Sequence, residues 1–258
     1  MDIVIGIGEI GLSWLHLVKK ARKTVGVDLD PSKCIGEWHG EDVEIMHVCI
    51  PYSQNFVNTI IGYALKFNPK CIVIHSTVKP FTTKKIDEDD GLPRNITVIY
   101  SPIRGVHSRM ELDMKRYDKF YASYKDDCTL YEQLLLNMEI VGYKAENPHT
   151  LEYAKNLVDV VYYGYLIAYA MKTEEIAVKY GINYDEMWMF AYQIDQYLGN
   201  RPPCGLPGMD KLYPDPKGIG GHCILQDLEL VKDDLEEVYS LIHKINNDCV
   251  ERHKNKEK

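Results

Sequence analysis

Asp2-Ile-Val-Ile-Gly-Ile-Gly-Glu-Ile-Gly11 decides the fold of this chain. An apolar run passes without a polar break into glycines 6, 8 and 11, the pattern of a buried strand that turns straight into a helix. An amphipathic helical stretch continues to about Arg22, and Thr24-Val-Gly-Val-Asp28 reads as a second apolar strand ending in an acid. Strand, glycines, helix, strand and acid in this order and spacing specify a dinucleotide-binding unit. The free N–H groups at the helix N-terminus can receive a pyrophosphate, and glycine lets backbone and ligand approach closely. Gly6, Gly8, Ile10 and Gly11 are therefore candidate cofactor contacts. Asp28 can hydrogen-bond both ribose hydroxyls of an adenosine, and its charge repels a 2′-phosphate, so NAD is expected over NADP. Asp30-Pro31 reads as an N-cap with a first-turn proline, a structural pair.

Further strands follow at the rhythm of an α/β domain. Residues 44–50 close on Pro51, residues 71–75 on Ser76-Thr77-Val78, and residues 97–100 on Ser101-Pro102, with helical stretches over 53–67 and 81–87. Ligands of open parallel sheets bind beyond the carboxyl ends of the strands. Pro51, Tyr52, Ser76, Thr77 and the loop from Ser101 to Arg109 therefore matter most. His47 and His75 fall inside strands and read as core residues.

The bulk numbers set the class. A chain of 258 residues with 45% apolar and 26% charged residues is an ordinary globular protein of one large or two modest domains. A net charge of −8 without a dense basic patch argues against nucleic-acid and anionic-membrane surfaces. No apolar run reaches spanning length and no signal-peptide pattern opens the chain. Seven cysteines without regular spacing fit reduced thiols, hence a cytoplasmic setting, and no His/Cys cluster has metal spacing.

Asn147-Pro-His-Thr150 has the composition of a helix start, and a helical pattern runs from Leu151 to Tyr180 before Gly181 stops it. Some thirty residues at 1.5 Å each give about 45 Å, long for a globular protein. Its tyrosines and aliphatic residues predict burial nearly all round, as in a domain bridge or a subunit interface. Glu152, Lys155 and Asp159 recur along one face. A second helix is expected over 183–198, a Pro/Gly-rich loop over 200–216, and one or two closing helices over 228–247. Between them, Gly218-Ile-Gly-Gly-His-Cys-Ile-Leu-Gln-Asp227 sets three glycines before Cys223, with Asp227 one helical turn later. A thiol at a helix N-terminus is stabilised as thiolate and can act as a covalent nucleophile.

With both ends in view, the chain resembles the UDP-glucose/GDP-mannose dehydrogenase family, over nearly its whole length and in matching order. Gly6 to Gly11 with Asp28 is similar to the family's dinucleotide site. Lys33 falls where a basic residue contacts the adenosine half, and Cys49-Ile-Pro51 and Ser76-Thr77-Val78 are similar to its turns near the nicotinamide. Glu152-x-x-Lys155-x-x-x-Asp159 resembles its Glu-x-x-Lys-x-x-x-Asn helix. Gly218 to Asp227 resembles its glycine-rich cysteine segment, the most specific match. The resemblance implies four-electron oxidation of a sugar's primary alcohol by two NAD. Cys223 would carry the thiohemiacetal and thioester, Lys155 would stabilise oxyanions, and Asp227 and Thr77 would position water or protons.

Three departures qualify it. The family's glutamate after Ser-Pro is absent, since the loop reads Ser101-Pro102-Ile103-Arg104; His107 reads equally as a stand-in base or as a surface histidine. Asp159 replaces an asparagine and adds charge beside Lys155. The chain ends soon after the cysteine segment, where the family adds a third, nucleotide-gripping domain, so a shortened form with a smaller or differently held substrate is expected. The expected architecture is a Rossmann-type doubly wound α/β sheet over 1–146, followed over 147–258 by the long helix and an all-α domain carrying the cysteine. A homodimer would form through that helix. Alternatives are a two-electron hydroxyacid-type dehydrogenase relying on Lys155, and an inactive NAD-binding subunit.

Overall fold

The computed structural model describes residues 1–189, 217–219, 222–233 and 236–254, with the backbone alone at 107, 222, 223 and 231. Two compact units emerge, Met1–Asn156 and Leu157–Lys258.

In the first unit, seven strands form one sheet in the order β2-β1-β3-β4-β5-β6-β7. They are β1 (Asp2–Ile5), β2 (Thr24–Val27), β3 (Ile45–Val48), β4 (Cys71–Ile74), β5 (Thr97–Tyr100), β6 (Lys119–Ser123) and β7 (Gly142–Lys144). All neighbours are parallel except β5 and β6. The chain leaves β1 for β2 on one side and returns for β3 on the other, so the strand order reverses at β1, where such sheets open a crevice. Strands β1, β3 and β4 are buried at every position, as a sheet covered on both faces requires. On one face α1 (Glu9–Lys19) packs Trp14, Leu15 and Val18 into a core shared with Tyr131 and Leu134. On the other, α2 (Phe56–Phe67) brings Phe56, Ile60 and Phe67 together with α3 (Thr82–Asp87) and Ile86. The doubly wound α/β architecture read from the sequence is the one observed.

Helices α4 (Met110–Arg116) and α5 (Thr129–Asn137) and strands β6 and β7 lie in a stretch where the sequence had specified no elements. Asn147 caps α6 (Pro148–Tyr153), its Oδ1 accepting from the Thr150 N–H at 2.9 Å. The helical path continues through a π-helical segment, Ala154–Val161, into α7 (Tyr162–Tyr180) and stops at Gly181 with φ 65°. The expected burial all round does not hold: Tyr163, Tyr165 and Tyr169 are about half exposed (48%, 47% and 53%). Gly164, Ala168 and Met171, at spacings of four and three, lie on the buried side instead.

In the second unit α8 (His222–Leu228) and α9 (Glu236–Lys254) pack on α7 around Ala168, Met171, Leu228 and Ile242. A Cβ at Gly164 would meet the Ile224 Cγ2 at 2.9 Å, so glycine permits the α7–α8 approach. The Asn246 Oδ1 accepts from the Ile219 N–H, fixing the chain ahead of α8. Of the helix expected over 183–198, residues 184–189 are helical. Its remainder, the loop over 200–216, and Gly220 and Gly221 lie outside the described residues. Among those described, no helix is long and apolar enough to cross a membrane.

Candidate functional site

The glycine loop sits between β1 and α1, at the carboxyl end of β1 where the strand order reverses. Its glycines do different work. Gly6 has φ 88°, and a Cβ there would meet the Cys49 carbonyl oxygen at 2.8 Å. A Cβ at Gly11 would lie 1.8 Å from the Gly6 carbonyl oxygen. These two are required by the chain's own packing. Gly8 is different: a Cβ there meets nothing within 4 Å, and its φ of −74° suits any residue. The helix it opens has no side-chain cap, so the space over Gly8 and the first-turn amides form an open cradle that fits a phosphate. Ile10 lies in that first turn. Asp28, just past β2, accepts from the Ile7 N–H at 2.6 Å and the Asp30 N–H at 2.9 Å. Its carboxylate is thereby fixed beside the loop with further lone pairs for hydroxyl donors. Asp30 caps the short turn Pro31–Lys33, which leaves Lys33 exposed nearby.

Beyond β3 and β4 come the two turns. Pro51 is exposed, and the Ser76 hydroxyl donates to the Ile50 carbonyl at 2.6 Å, tying the second turn to the first. Thr77 is half-buried beside it. The helix carrying Lys155 is locked to this turn from both flanks. Buried Asn156 donates its Nδ2 to the Val78 carbonyl at 2.8 Å. Buried Glu152 accepts from the Phe81 N–H at 2.5 Å, the Thr83 N–H at 2.8 Å and the Thr83 hydroxyl at 2.6 Å, so it caps α3 from another element. Burial pushes the Glu152 carboxyl up, against the pull of the Thr83 and Phe81 donors. Glu152 is thus a buried acceptor, 0% exposed, rather than a solvated charge. The π segment also departs from the 3.6-residue period on which a common face with Asp159 depended.

Under the ends of β3, β4 and β5 lies a buried basic network that sequence reasoning missed in part. The Trp14 Nε1–H donates to the His47 Nδ1 at 3.0 Å. His75 places its Nε2 3.0 Å from that same nitrogen and its Nδ1 2.8 Å from the Ser101 carbonyl. The His47 Nδ1 lone pair is taken by Trp14, so the one N–H of a neutral His75 goes to the Ser101 carbonyl. Lys119, also buried, donates to the carbonyls of Ser101 and Pro102, both at 2.8 Å. Burial holds its ammonium well below the usual lysine range, with Cys49 countering and the Arg104 and Lys155 charges reinforcing. Burial likewise pushes the Cys49 thiol up to about 12 and both histidines down.

These histidines predict acid sensitivity. Both have depressed values when folded, so the unfolded chain binds more protons as pH falls below their ordinary range. Their stabilising contribution is whole above that range and fades as pH drops toward the folded values. Urea titrations at pH 7.5 and 5.5 should differ by about 1–3 kcal/mol, and His75→Gln should flatten the difference. Equal stability at both pH values would contradict buried neutral imidazoles.

In the second unit, α8 sets positions 223 and 227 one turn apart, with Asp227 half-buried. The Cys223 side chain and that of His107 lie outside the described residues. Asp159 belongs to the π segment and is half-buried. Among the described residues no His/Cys/Asp/Glu cluster could hold a metal.

No protein-family model matches the chain, and neither does any curated protein sequence. Solved structures do. A UDP-D-ManNAc dehydrogenase from Pyrococcus horikoshii superposes with a TM-score of 0.74 at 17% identity, over 96% of this chain and 69% of that one. The UDP-N-acetyl-mannosamine dehydrogenase Cap5O from Staphylococcus aureus gives 0.73 at 18% identity, over 96% and 67%. A 3-hydroxyisobutyrate dehydrogenase from Mycobacterium tuberculosis gives 0.69 at 14% identity, over 98% and 94%. In fold, this chain is built like the nucleotide-sugar dehydrogenases across nearly all of its own length.

Proposed function

We propose that the chain is an NAD-dependent dehydrogenase that oxidises the primary alcohol of a sugar, free or nucleotide-linked, to the acid. The observation that carries this reading is the lock between the Ser76–Val78 turn and the Lys155 helix, made by Asn156 on the Val78 carbonyl. It ties a candidate oxyanion-stabilising ammonium to the sheet end that the cradle at Gly8 opens onto. The residues present fit the cofactor. The α1 amides and the space over Gly8 would hold its pyrophosphate, Asp28 the adenosine ribose, Lys33 the outer adenosine face, and Pro51 with the Ser76–Thr77 turn the far half. Bound NAD would supply the hydride acceptor for both oxidations.

The chain's own residues account for the rest. Lys155 stabilises negative charge on the reacting oxygen, its strength moderated by Asp159. The Cys223 thiolate adds to the aldehyde carbon and forms a C–S bond. Loss of hydride from that adduct gives a thioester. Water, held by Thr77 and deprotonated by Asp227, then cleaves the C–S bond, releasing carboxylate and restoring the thiolate. In sum, alcohol and water become carboxylate, two hydrides and three protons. Residues 1–146 serve the cofactor, residues 147–258 carry the cysteine, and the half-exposed tyrosines of α7 pair two copies.

Gly8→Ala tests the cradle. A methyl group there meets nothing within 4 Å in the protein, and replacing a glycine at a compatible φ adds about 0.4–1 kcal/mol of stability. Calorimetric titration should show NAD binding weakened about tenfold or more, the scale of a lost phosphate contact, in a protein that melts no lower than wild type. Wild-type protein that binds no NAD would sink the reading.

A further inference from the structure

Lys119 is an expensive residue in its position. It is 5% exposed at the start of β6, and among the described residues no carboxylate pairs with it. A buried ammonium without a counter-charge is kept only where other groups hold it. Here they are two carbonyl oxygens and the face of Trp14, 5.2 Å from the ring centre. Those carbonyls belong to Ser101 and Pro102, the turn leaving β5. The same stretch is laced to β6 and to the residue before it: the Ser101 hydroxyl donates to the Phe120 carbonyl at 2.8 Å, and Arg104 donates to the Asp118 carbonyl at 2.8 Å. Because β6 runs antiparallel to β5, its first residue lies at the carboxyl end of β5.

The sheet order says which half of a dinucleotide lies there. Asp28 fixes the adenosine on the β2 side of β1, so the other half must extend the opposite way, over β3 and β4. Strands are spaced by about 4.8 Å, which sets β5 some three spacings, about 14 Å, from β1 and at the far edge of that half. We infer that Lys119 is a positioning residue for the nicotinamide half of the cofactor site, acting through the Ser101 and Pro102 carbonyls that it pins. Its side chain touches no ligand. It holds in place the wall against which the ring and the reacting carbon are aligned.

This rests on the NAD reading above, and the test separates the two. Wild type, Lys119→Met and Lys119→Arg are titrated calorimetrically with ADP-ribose, which lacks the nicotinamide, and with NADH. Lys119→Met removes both hydrogen bonds and should bind ADP-ribose within about twofold of wild type while losing about tenfold in NADH affinity. Lys119→Arg, whose guanidinium can span two carbonyl oxygens, should recover most of the NADH affinity. If Lys119→Met yields no folded protein, Lys119→Gln carries the same expectation. Unchanged NADH binding in the variant, or an equal loss for both ligands, overturns the assignment and leaves the NAD reading standing. Failure of the wild type to bind either ligand removes the reading, and the assignment with it.

Discussion

Cys223→Ser is expected to stop acid formation while leaving the first oxidation in place. Serine keeps the shape but not the nucleophile: its hydroxyl is almost wholly protonated at neutral pH, whereas a thiol supplies thiolate. Without the C–S adduct there is no thioester to hydrolyse, so each sugar should yield one NADH rather than two, with aldehyde accumulating or being trapped by hydroxylamine. Carboxylate production should fall by roughly 10³-fold or more, the scale of removing a nucleophile that works as a unit with its neighbours. Lys155→Met should slow both oxidations by about 10²–10³, the cost of one oxyanion partner. Product analysis by mass spectrometry with a panel of sugars and nucleotide sugars decides the outcome. Full conversion to acid by Cys223→Ser would end the covalent mechanism. A wild-type enzyme that itself stops after one NADH would point to the two-electron chemistry of a hydroxyacid-type dehydrogenase, whose fold is also shared.

What the sequence made legible was whatever is local. β1, the glycines, α1, β2 and Asp28 declare themselves within 28 residues, because the apolar triplet Ile3-Val4-Ile5 and a glycine with φ 88° leave few alternatives. His47 and His75 were readable as core for the same reason: His47 lies inside β3 and His75 directly follows β4, both strands covered on two faces. β6 and β7 were not. β6 opens on a lysine, which reads as surface, and β7 is exposed at all three of its positions, so neither carries an apolar period. The π segment was invisible too, since Leu157, Val160 and Val161 satisfy an α-helical stripe as well as a π one. In the candidate site, the glycine loop and the strand-end turns lay on the surface of the pattern. The groups that hold them, Glu152, Asn156 and Lys119, did not. Their partners are 69, 78 and 18 residues away, and no spacing rule connects a carboxylate to a helix start that far off.

Glu152 is where that hidden layer can be tested most severely. α3 begins after Phe81, which has φ 67°, and no side chain of its own caps it. The three donors that would be left orphaned at its start are all satisfied by one buried carboxylate. Glu152→Ala leaves two amides and a hydroxyl facing a cavity, at a cost of about 3–5 kcal/mol, or a Tm lower by roughly 10 °C. Glu152→Gln keeps the volume and one acceptor and should cost about 1–2 kcal/mol. The pH dependence has a definite sign. Burial raises the carboxyl above its ordinary value, so the folded protein holds that proton to higher pH than the unfolded chain does. The wild type's advantage from this group is fullest below the ordinary value and declines as pH rises through the folded one. The penalty of the glutamine variant should therefore shrink between pH 4 and pH 7. Because Lys155 is one turn further along the same helix, Glu152→Ala should also lower turnover under conditions where the variant remains fully folded. Urea titrations at both pH values, with turnover measured at 10 °C, separate these effects. A loss of less than about 1 kcal/mol on truncation would mean that α3 is held by its apolar packing and that Glu152 has little part in fixing Lys155.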